Sequence, residues 1–374
     1  MFLVYRILLT LLLLFCLAPC AMARDISIIA SGDILLDGSA APLLKRYGFD
    51  YAFDATRDVL TSADLTLGNL EAPLTNSQDE FTDKRFRFKV SSAAAEALKN
   101  AGYDVLTLAN NHMGDLGHQG VNDTVDSLHA VGLKSTGAGA DITQAREPAL
   151  VEIDGTTIAL LAYSNTFPKA FYATKSRPGT APGYPSYFIH DIKKARKRAD
   201  VVIVSFHWGG EALTTPKDYQ QDLGRRAIEA GAQVVIGHHP HVLQGVELYR
   251  DGVIYYSLGN FAFGSYSKTA RTSALARITL RDARLLKAEL LPLDVYNIEV
   301  AFQPRPLQQE QADAFSRDFK ELCDPFGTTL EHQADAFWKV TPQDPDTVEA
   351  SDSEPDTAPA TEMPANNTPP VTED

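Results

Sequence analysis

The sequence predicts an α/β fold, and two features of the chain carry this prediction. Short apolar segments with β-branched residues, such as 201–205 and 233–236, alternate with stretches whose apolar residues have helical spacing, such as 121–128. Polar side chains gather where the predicted strands end, most clearly in the Asn-Asn-His sequence at 110–112. Reactive groups of open α/β sheets lie outside the carboxyl ends of the strands. We therefore expect a functional site at that edge.

Six predicted strands are each followed by a polar or glycine-rich motif. In chain order they are 25–30 before SGD, 64–67 before GNLE, 104–108 before ANNH, 201–205 before FHWGGE, 233–236 before GHHPH, and 253–257 before LGNF. Helices are predicted after Ser92, after the ANNH motif, over 191–198 and from Thr215. Asp154-Gly155, between two β-rich segments, indicates a hairpin.

Residues 1–23 have the pattern of a cleavable signal peptide. Arg6 precedes an apolar segment at 7–17, and Ala-Met-Ala at 21–23 provides small residues for cleavage. The apolar segment is short for a bilayer span. The sequence thus predicts a secreted or periplasmic protein, with a lipid anchor on Cys20 as the less favoured alternative.

The charge and cysteine content limit the classes of protein. The formal net charge is -14, and nine acidic and no basic residues lie in 341–374. No basic face is evident, which argues against a nucleic-acid partner. Only Cys323 remains after signal cleavage, so the mature chain has no cysteine pair for an intrachain disulfide.

The predicted organisation has four parts. A signal peptide occupies 1–23, the main domain 24–300, a helical extension 301–340, and a disordered acidic Pro/Thr-rich tail 341–374. The extension is predicted from an amphipathic stretch that would pack on the main domain.

The first two strand-end motifs are open to a structural and a functional interpretation. Asp33 follows a glycine, in a sequence that is common in turns. Asn69 and Glu71 lie two residues apart and can point to the same side of an extended chain. These side chains either cap turns or hold a cation.

Two loops carry basic residues that could contact an anionic substrate. The segment 85–90 alternates basic and apolar residues, which predicts an edge strand with Arg87 and Lys89 on one face. That face either meets the substrate or protects the edge of the sheet by its charge. The long loop 164–187 contains further cations and is a candidate lid or binding loop.

The histidine-rich motifs give the strongest functional signal. His238, His239 and His241 follow one predicted strand, and His207 follows another. The chain has nine histidines in all, so four of them in two strand-end motifs favour metal binding or catalysis. The sequence alone leaves open which of the three clustered histidines bind.

Together these motifs indicate a metal centre. Candidate ligands are Asp33, Glu71, Asn111, His207, His238, His239 and His241. Carboxylate, amide and imidazole groups without thiolates suit divalent Mn, Fe or Zn. The set is too large for one tetrahedral ion, whereas two ions bridged by a carboxylate fit it and would activate a water.

One histidine is expected to act on the substrate instead of binding metal. We assign His112, beside Asn111, as the acid that protonates the leaving group. Residues expected to orient the ligands or contact substrate are Asn69, Trp208, Glu211, Asn260, Arg87 and Lys89. Among them, Trp208 and Glu211 are expected to orient His207.

The ordered motifs also resemble a known family. The series SGDILLDG, GNLEAPLT, ANNHMGDLG, HWGGE, GAQVVIGHHPHVLQ and YSLGNFAF, between residues 26 and 263, is similar to the CapA family of capsule and poly-γ-glutamate biosynthesis proteins. That family resembles the calcineurin-like metallophosphoesterases. The resemblance implies a four-layer α/β sandwich, in which two mixed sheets pack face to face with helices outside.

The resemblance also implies roles for individual residues. Asp33 corresponds to the first metal ligand, and Glu71 or Asn69 stands where an aspartate bridges the ions. Asn111 matches a ligating asparagine and His112 the acid beside it. The motif Asp-x-His is absent after the first strand, and the last motif has one histidine more than the usual pattern. These departures leave open whether one of the two metal sites is altered or missing in this chain.

Three functions fit these observations. The first is an exported CapA-like protein with a metal-dependent hydrolase site, acting in synthesis, release or attachment of an anionic extracellular polymer such as poly-γ-glutamate. The second is an exported metal-dependent phosphoesterase. The third is a non-enzymatic accessory subunit of a membrane-bound polymer synthase. Activity on aryl phosphates that is lost in His207→Ala would favour the second function. Co-purification with membrane proteins, with full complementation by His112→Ala, would favour the third.

Overall fold

The structure is a computed structural model that describes residues 24–343. The predicted signal peptide and the acidic tail from 344 onward lie outside these residues. Within 24–343, none of the helices combines the length and the apolar character that a transmembrane span requires.

The described chain alternates strands and helices over most of its length. The strands are β1 (Ile26–Leu35), β2 (Leu65–Leu70), β3 (Val105–Thr107), β4 (Lys134–Thr136), β5 (Ala138–Gly139), β6 (Ala149–Ile153), β7 (Thr156–Ser164), β8 (Gly179–Thr180), β9 (Val201–His207), β10 (Val234–His238), β11 (Leu243–Tyr249), β12 (Gly252–Leu258), β13 (Asn260–Phe263), β14 (Thr272–Arg281), β15 (Arg284–Asp294), β16 (Arg305–Pro306), β17 (Thr328–His332) and β18 (Trp338–Pro342). The helices are α1 (Ala41–Tyr47), α2 (Arg57–Leu60), α3 (Ala94–Asn100), α4 (Gly117–Ala130), α5 (Ile142–Ala145), α6 (Pro185–Ala195), α7 (Asp218–Ala230), α8 (Asn297–Val300) and α9 (Gln309–Cys323).

Two large mixed sheets form the centre of the molecule. The first has the order β17-β18-β15-β14-β1-β2-β3-β4, with β13 also pairing β1 and β16 pairing β15. In it, β1 to β4 are parallel, and β14 and β15 form an antiparallel hairpin. The second has the order β11-β12-β10-β9-β7-β6. Its four central strands are parallel and both edge strands are antiparallel.

The buried apolar side chains form three layers. The layer between the two sheets contains Ile28, Leu67, Ile203, Ile236 and Tyr255, all fully or almost fully buried. A second layer lies between the first sheet and helices such as α3 and α4. A third lies between the second sheet and α6 and α7. The order helix, sheet, sheet, helix confirms the predicted four-layer α/β sandwich.

The extension 301–340 is only partly helical. Its amphipathic helix α9 buries Phe315, Phe319 and Cys323 in the layer between the sheets. The strands β17 and β18 follow and pair with each other, and β18 pairs with β15. The helical prediction missed this hairpin, whose two strands have five residues each. They extend the first sheet beyond β15.

The predicted edge strand at 85–90 is wrong. Only Val90 forms a bridge, with Leu74, in this segment. The amide of Phe88 donates to a carboxylate oxygen of Asp115 at 3.0 Å, and the amide of Lys89 donates to Asp37 at 2.9 Å. These carboxylates take backbone donors that a strand would have used, so the segment lies as a loop across the polar edge of the sandwich.

Candidate metal centre

The two sheets bring their polar strand ends together at one edge of the sandwich. β1 is bonded directly to the chain after β12, where the amide of Asp33 donates to the carbonyl of Gly259 at 3.0 Å. A Cβ atom at Gly32 would lie 2.0 Å from that carbonyl oxygen, so this close approach requires glycine. The first sheet thus delivers Asp33 and Glu71 against the histidines of the second sheet.

Glu71 and two histidines form the first group that could hold a cation. Potential ligand atoms of Glu71, His207 and His239 lie within 4.8 Å of one another, and all three residues are buried. The side-chain oxygen of Asn111 lies 2.7 Å from Nε2 of His207. Asn111, a candidate ligand, therefore has its amide oxygen beside this group.

A second group shares Glu71 with the first. Ligand atoms of Asp33, Glu71 and His241 also lie within 4.8 Å of one another. Nδ1 of His241 lies 3.2 Å from Oδ2 of Asp33, and its Nε2 lies 3.7 Å from Oε1 of Glu71. A carboxylate common to two adjacent groups is the arrangement that bridges two cations.

The remaining histidine of the cluster, His238, belongs to neither group. His238 is buried, and its Nδ1 lies 3.1 Å from Oδ1 of Asp33. The two groups therefore contain His239 and His241 and leave His238 against the carboxylate of Asp33. The amide nitrogen of Asn69 also donates to Oδ1 of Asp33, at 2.9 Å. Asn260 lies beside His241, with its oxygen 3.0 Å from Nδ1.

The electrostatics of the two carboxylates differ. Burial raises the pKa of Glu71 well above its usual range, and the nearby charge of Asp33 raises it further. Burial also opposes ionisation of Asp33, but His238 and His241 hold the pKa of Asp33 well below its usual range. A cation beside Glu71 would offset both the burial and the repulsion.

Burial and the same neighbouring charges also shift the pKa values of the histidines. Burial lowers the pKa of His207 well below its usual range, and burial and the neighbouring His241 lower the pKa of His239 to about 3. Both rings are therefore neutral, which is the form that binds metals. Burial lowers the pKa of His241, but the charges of Glu71 and Asp33 outweigh it and raise the pKa to about 9.

Several buried polar atoms have no hydrogen-bond partner among the described residues. At the centre they include Oε1 of Glu71, Nε2 of His238 and Nδ1 of His239. An unsatisfied buried polar atom costs roughly 1–3 kcal/mol, so several of them in one cluster call for a ligand. Oxygen and imidazole-nitrogen donors fit divalent Mn, Fe or Zn. The residues present thus fit a pair of divalent ions.

The backbone at the histidine cluster adopts an unusual conformation. The φ angles of His239 and His241 are 95° and 59°, in the left-handed region that favours glycine. Such conformations cost about 1–3 kcal/mol each and occur preferentially at functional sites. Here they lie on either side of Pro240, where the chain turns and presents both rings to the carboxylates.

His112 lies beside the two groups and is held by residues that the sequence analysis missed. Its Nδ1 lies 2.7 Å from a carboxylate oxygen of Asp115, which is fully buried. The ammonium group of Lys84 donates to the other oxygen of Asp115, at 2.7 Å, and to the carbonyl of Asn111. The ring of Phe88 packs on that of His112, with 4.6 Å between centroids.

Asn110 is a second residue that the sequence analysis left out of the site. Its side-chain oxygen accepts the amides of His112 and Met113, and its nitrogen donates to the carbonyl of Leu70 at 2.8 Å. It also donates to the side-chain oxygen of Asn69 at 3.2 Å. Asn110 thereby fixes the turn after β3 against the end of β2.

The structure places Trp208 away from His207, contrary to the expected orienting role. Adjacent residues of a strand face opposite sides, so His207 faces the polar cluster while Trp208 faces the outer core. The indole stacks on Phe206 with 4.7 Å between centroids and donates to the carbonyl of Tyr256 at 2.9 Å. Glu211 is exposed and contributes to raising the pKa of His241 after Glu71 and Asp33.

Trp208 is consequently expected to matter for stability. We expect Trp208→Ala to lower the free energy of unfolding by about 3–5 kcal/mol, because the fully buried ring leaves a large cavity. Equilibrium unfolding in urea measures this change. Ile298→Ala, at a residue that is 60% exposed, is the control and should cost less than about 0.5 kcal/mol. A loss below about 1 kcal/mol for Trp208→Ala would contradict the assignment.

Arg87 and Lys89 are bound to their own loop. Nε of Arg87 donates to Glu80 at 3.0 Å, and Nζ of Lys89 donates to the side chain of Gln78 at 3.2 Å. Both side chains thus have partners within their own loop, so the structure does not single them out as free anion-binding groups.

The fold and the site define an α/β sandwich protein with a candidate two-cation centre at the carboxyl ends of its central strands. The family model described as "Bacterial capsule synthesis protein PGA_cap" matches residues 27–265. The chain belongs to this family, which confirms the resemblance to CapA proteins.

Individual relatives agree with this assignment. The chain is 34% identical over 281 residues to "PGA biosynthesis protein CapA" of Bacillus subtilis (strain 168), covering 75% of this chain and 73% of that protein. It is 34% identical over 271 residues to "Capsule biosynthesis protein CapA" of Bacillus anthracis, covering 71% and 66%. It is 28% identical over 310 residues to a "Probable polyglutamine synthesis accessory protein" of Mycobacterium tuberculosis, covering 75% and 78%.

Solved structures show weaker similarity. The 5'-nucleotidase precursor from Thermus thermophilus has a TM-score of 0.44 and 14% sequence identity, covering 80% of this chain and 58% of that chain. A likeness at this level carries no argument about activity.

Proposed function

We propose that this protein is an exported, CapA-like, metal-dependent hydrolase that acts on an anionic extracellular polymer such as poly-γ-glutamate. It would act in the synthesis, release or attachment of that polymer. Family membership and the names of the Bacillus relatives support the choice of this polymer as the substrate. The hydrolase assignment depends on one observation, that Glu71 belongs to both candidate cation groups.

The site residues divide into metal-binding and proton-transfer groups. Asp33, Glu71, Asn111, His207, His239 and His241 would hold the ions. When bound, the ions would lower the pKa of a water molecule and neutralise negative charge that develops on the substrate. His112 in its doubly protonated form would donate the Nε2 proton to the leaving group, because the carboxylate of Asp115 accepts from Nδ1 and stabilises the charged ring.

Export is the second part of the proposal. The signal-peptide pattern at 1–23 supports a secreted or periplasmic protein, with a lipid anchor as the alternative. The expected partners are the polymer or its precursor and a membrane-bound polymer synthase. The acidic composition supports a partner other than nucleic acid.

A non-enzymatic accessory role is the second candidate. The Mycobacterium relative is named as a probable polyglutamine synthesis accessory protein. In this role the metal centre would stabilise the fold, and His112 would be dispensable. An exported phosphoesterase with the same site is the third candidate, for which hydrolysis of aryl phosphates would be the observation in favour.

Complementation of a deletion strain separates these functions. We expect His112→Ala to fail to restore wild-type amounts and chain length of the extracellular polymer, because protonation of the leaving group is lost. His129→Ala, at an exposed histidine near the end of α4, is the matched control and should complement fully. Full complementation by His112→Ala, at equal protein level, would contradict the hydrolase assignment and favour the accessory role.

A further inference from the structure

One lysine contacts both the metal-binding and the proton-transfer residues of the site. Lys84 lies in the loop between β2 and α3. Its Nζ donates to the backbone carbonyl of Asn111 and, at 2.7 Å, to Oδ1 of Asp115. Asn111 has its side chain beside the first cation group, and Asp115 holds the ring of His112. The ammonium group therefore lies where the two parts of the site meet.

The contact with Asn111 fixes a particular peptide group. The carbonyl of Asn111 and the amide of His112 belong to the same peptide bond, which joins the candidate ligand to the candidate acid. Lys84 donates to this carbonyl, and the side-chain oxygen of Asn110 accepts this amide at 3.1 Å. The rigid peptide plane is thus held at both of its edges. Its rotation would change the directions of the side chains on both sides.

The contact with Asp115 fixes the carboxylate that orients His112. Oδ2 of Asp115 accepts from Nδ1 of His112 at 2.7 Å and from the amide of Phe88 at 3.0 Å. Oδ1 accepts from Lys84, whose Nζ also lies 2.9 Å from Nδ1 of His112. The ammonium group and the imidazole ring thus share the two oxygens of one carboxylate. Without the ammonium group, Oδ1 would lose this donor while remaining buried and charged, which is unfavourable.

The charge of Lys84 is largely shielded from solvent. Its side chain is 17% exposed, and that of Asp115 is fully buried. The ring of Phe171 lies on a further side, with its centroid 5.5 Å from Nζ. Salt screens a buried ion pair much less than one at the surface. Lys84 is therefore expected to hold its position firmly, unlike a lysine at the surface.

We propose that Lys84 is a positioning residue that fixes Asn111 and His112 relative to each other, so that it couples binding of the first ion to the orientation of the acid. This inference rests on the proposed function, which assigns the roles of the ligand and the acid. Lys84 itself would touch neither the ion nor the substrate. Replacing a residue that orients a metal ligand typically lowers metal affinity or activity by about 10- to 100-fold.

General stabilisation of the loop is the competing interpretation of this lysine. The loop has other anchors that do not involve the ammonium group. The amides of Phe81 and Phe88 both donate to Asp115, at 2.9 and 3.0 Å, and the ring of Phe81 contacts that of Phe171. Loss of the charge should therefore leave the loop in place and change the turn that carries the site. A general loss of structure would instead weaken both cation groups.

The test measures zinc binding at each group by isothermal titration calorimetry of the full chain, after bound metal has been removed. Asp33→Asn leaves the first group intact and His239→Ala leaves the second, so each background reports on one ion. Adding Lys84→Met should weaken binding about 10- to 100-fold in the Asp33→Asn background. In the His239→Ala background it should change the affinity by less than about twofold, because neither Asn111 nor Asp115 belongs to the second group.

A second readout follows the ring of His112 and needs no turnover. In 15N spectra of the metal-free protein at constant pH, Lys84→Met should shift the ring-nitrogen resonances of His112, which are identified by their loss in His112→Ala. Lys99→Met, at an exposed lysine of α3, is the matched control and should leave these resonances and both affinities unchanged. Lys84→Gln keeps a donor without the charge. It takes the place of Lys84→Met if that variant does not fold, and it should change the same quantities in the same direction.

Two outcomes would overturn the inference. Unchanged resonances of His112, together with an unchanged zinc affinity of the first group, would show that Lys84 does not position the turn. An equal loss of affinity in both backgrounds would show that Lys84 stabilises the structure in general. Neither measurement depends on hydrolysis, so either outcome would leave the proposed function standing, whereas a lack of hydrolysis by the wild type would contradict the proposed function alone.

Discussion

Replacing Glu71 by glutamine is expected to remove both metal ions from the protein. Glu71 is fully buried and is the only residue common to the two candidate cation groups of the described chain. The amide has nearly the same shape as the carboxylate but lacks the charge that would bridge two cations. Metal analysis of protein purified without chelator should give about two ions per wild-type chain and about none for Glu71→Gln.

Single-group variants provide the comparison for Glu71. Asp33→Asn affects only the second group and His239→Ala only the first, so each should retain about one ion per chain. Glu80→Gln, at an exposed loop residue, should retain the wild-type content. Loss of only one ion from Glu71→Gln would show that the carboxylate does not bridge. A wild-type content of one ion would show that one site is altered.

The convergence of the candidate ligands could be predicted because it follows from sheet geometry. Parallel strands align their carboxyl ends at one edge of a sheet. A polar motif that follows a strand therefore lies at that edge, whatever the conformation of the loops. Glu71 and His207, at the ends of β2 and β9, follow this rule, whereas Asp33 lies within β1, after the register shift in its pairing with β2. The resemblance to a known family added the pairing of the two sheets, which strand periodicity does not contain.

The surroundings of His112 could not be predicted in the same way. Lys84 lies in a polar loop and reaches His112 across 28 positions of sequence, and no local pattern specifies such a contact. Asp115 did leave a signal, because it lies three positions after His112, but a Gly-Asp sequence is also common in turns.

Alternation of basic and apolar residues misled the prediction at 85–90. Period-two patterns indicate a strand only when a neighbouring strand accepts the backbone hydrogen bonds. Here Asp37 and Asp115 accept the amides of Lys89 and Phe88. Two carboxylates that are distant in sequence, and not the local pattern, determine which backbone hydrogen bonds this segment forms.

Replacing Asp115 by asparagine is expected to reduce hydrolytic turnover by about 100-fold or more while leaving the metal content unchanged. One carboxylate oxygen of Asp115 accepts from Nδ1 of His112, and the other accepts from Lys84. An asparagine keeps the shape, but its NH2 group must face one of these donors. The ring of His112 then loses the partner that fixes its tautomer, and general acid catalysis contributes about 10²–10⁴-fold.

The measurement combines turnover of poly-γ-glutamate by the metal-loaded protein, which the proposed function requires, with 15N NMR of the histidine rings. Asp115→Asn should lower kcat more than it changes KM and should shift the tautomer of His112, with the urea midpoint recorded to exclude unfolding. Asp126→Asn, at an exposed position on α4, is the matched control and should leave kcat and the tautomer unchanged. Wild-type turnover of Asp115→Asn would mean that His112 needs no carboxylate to orient it, and the acid would then have to be sought among the other groups at the mouth of the metal centre.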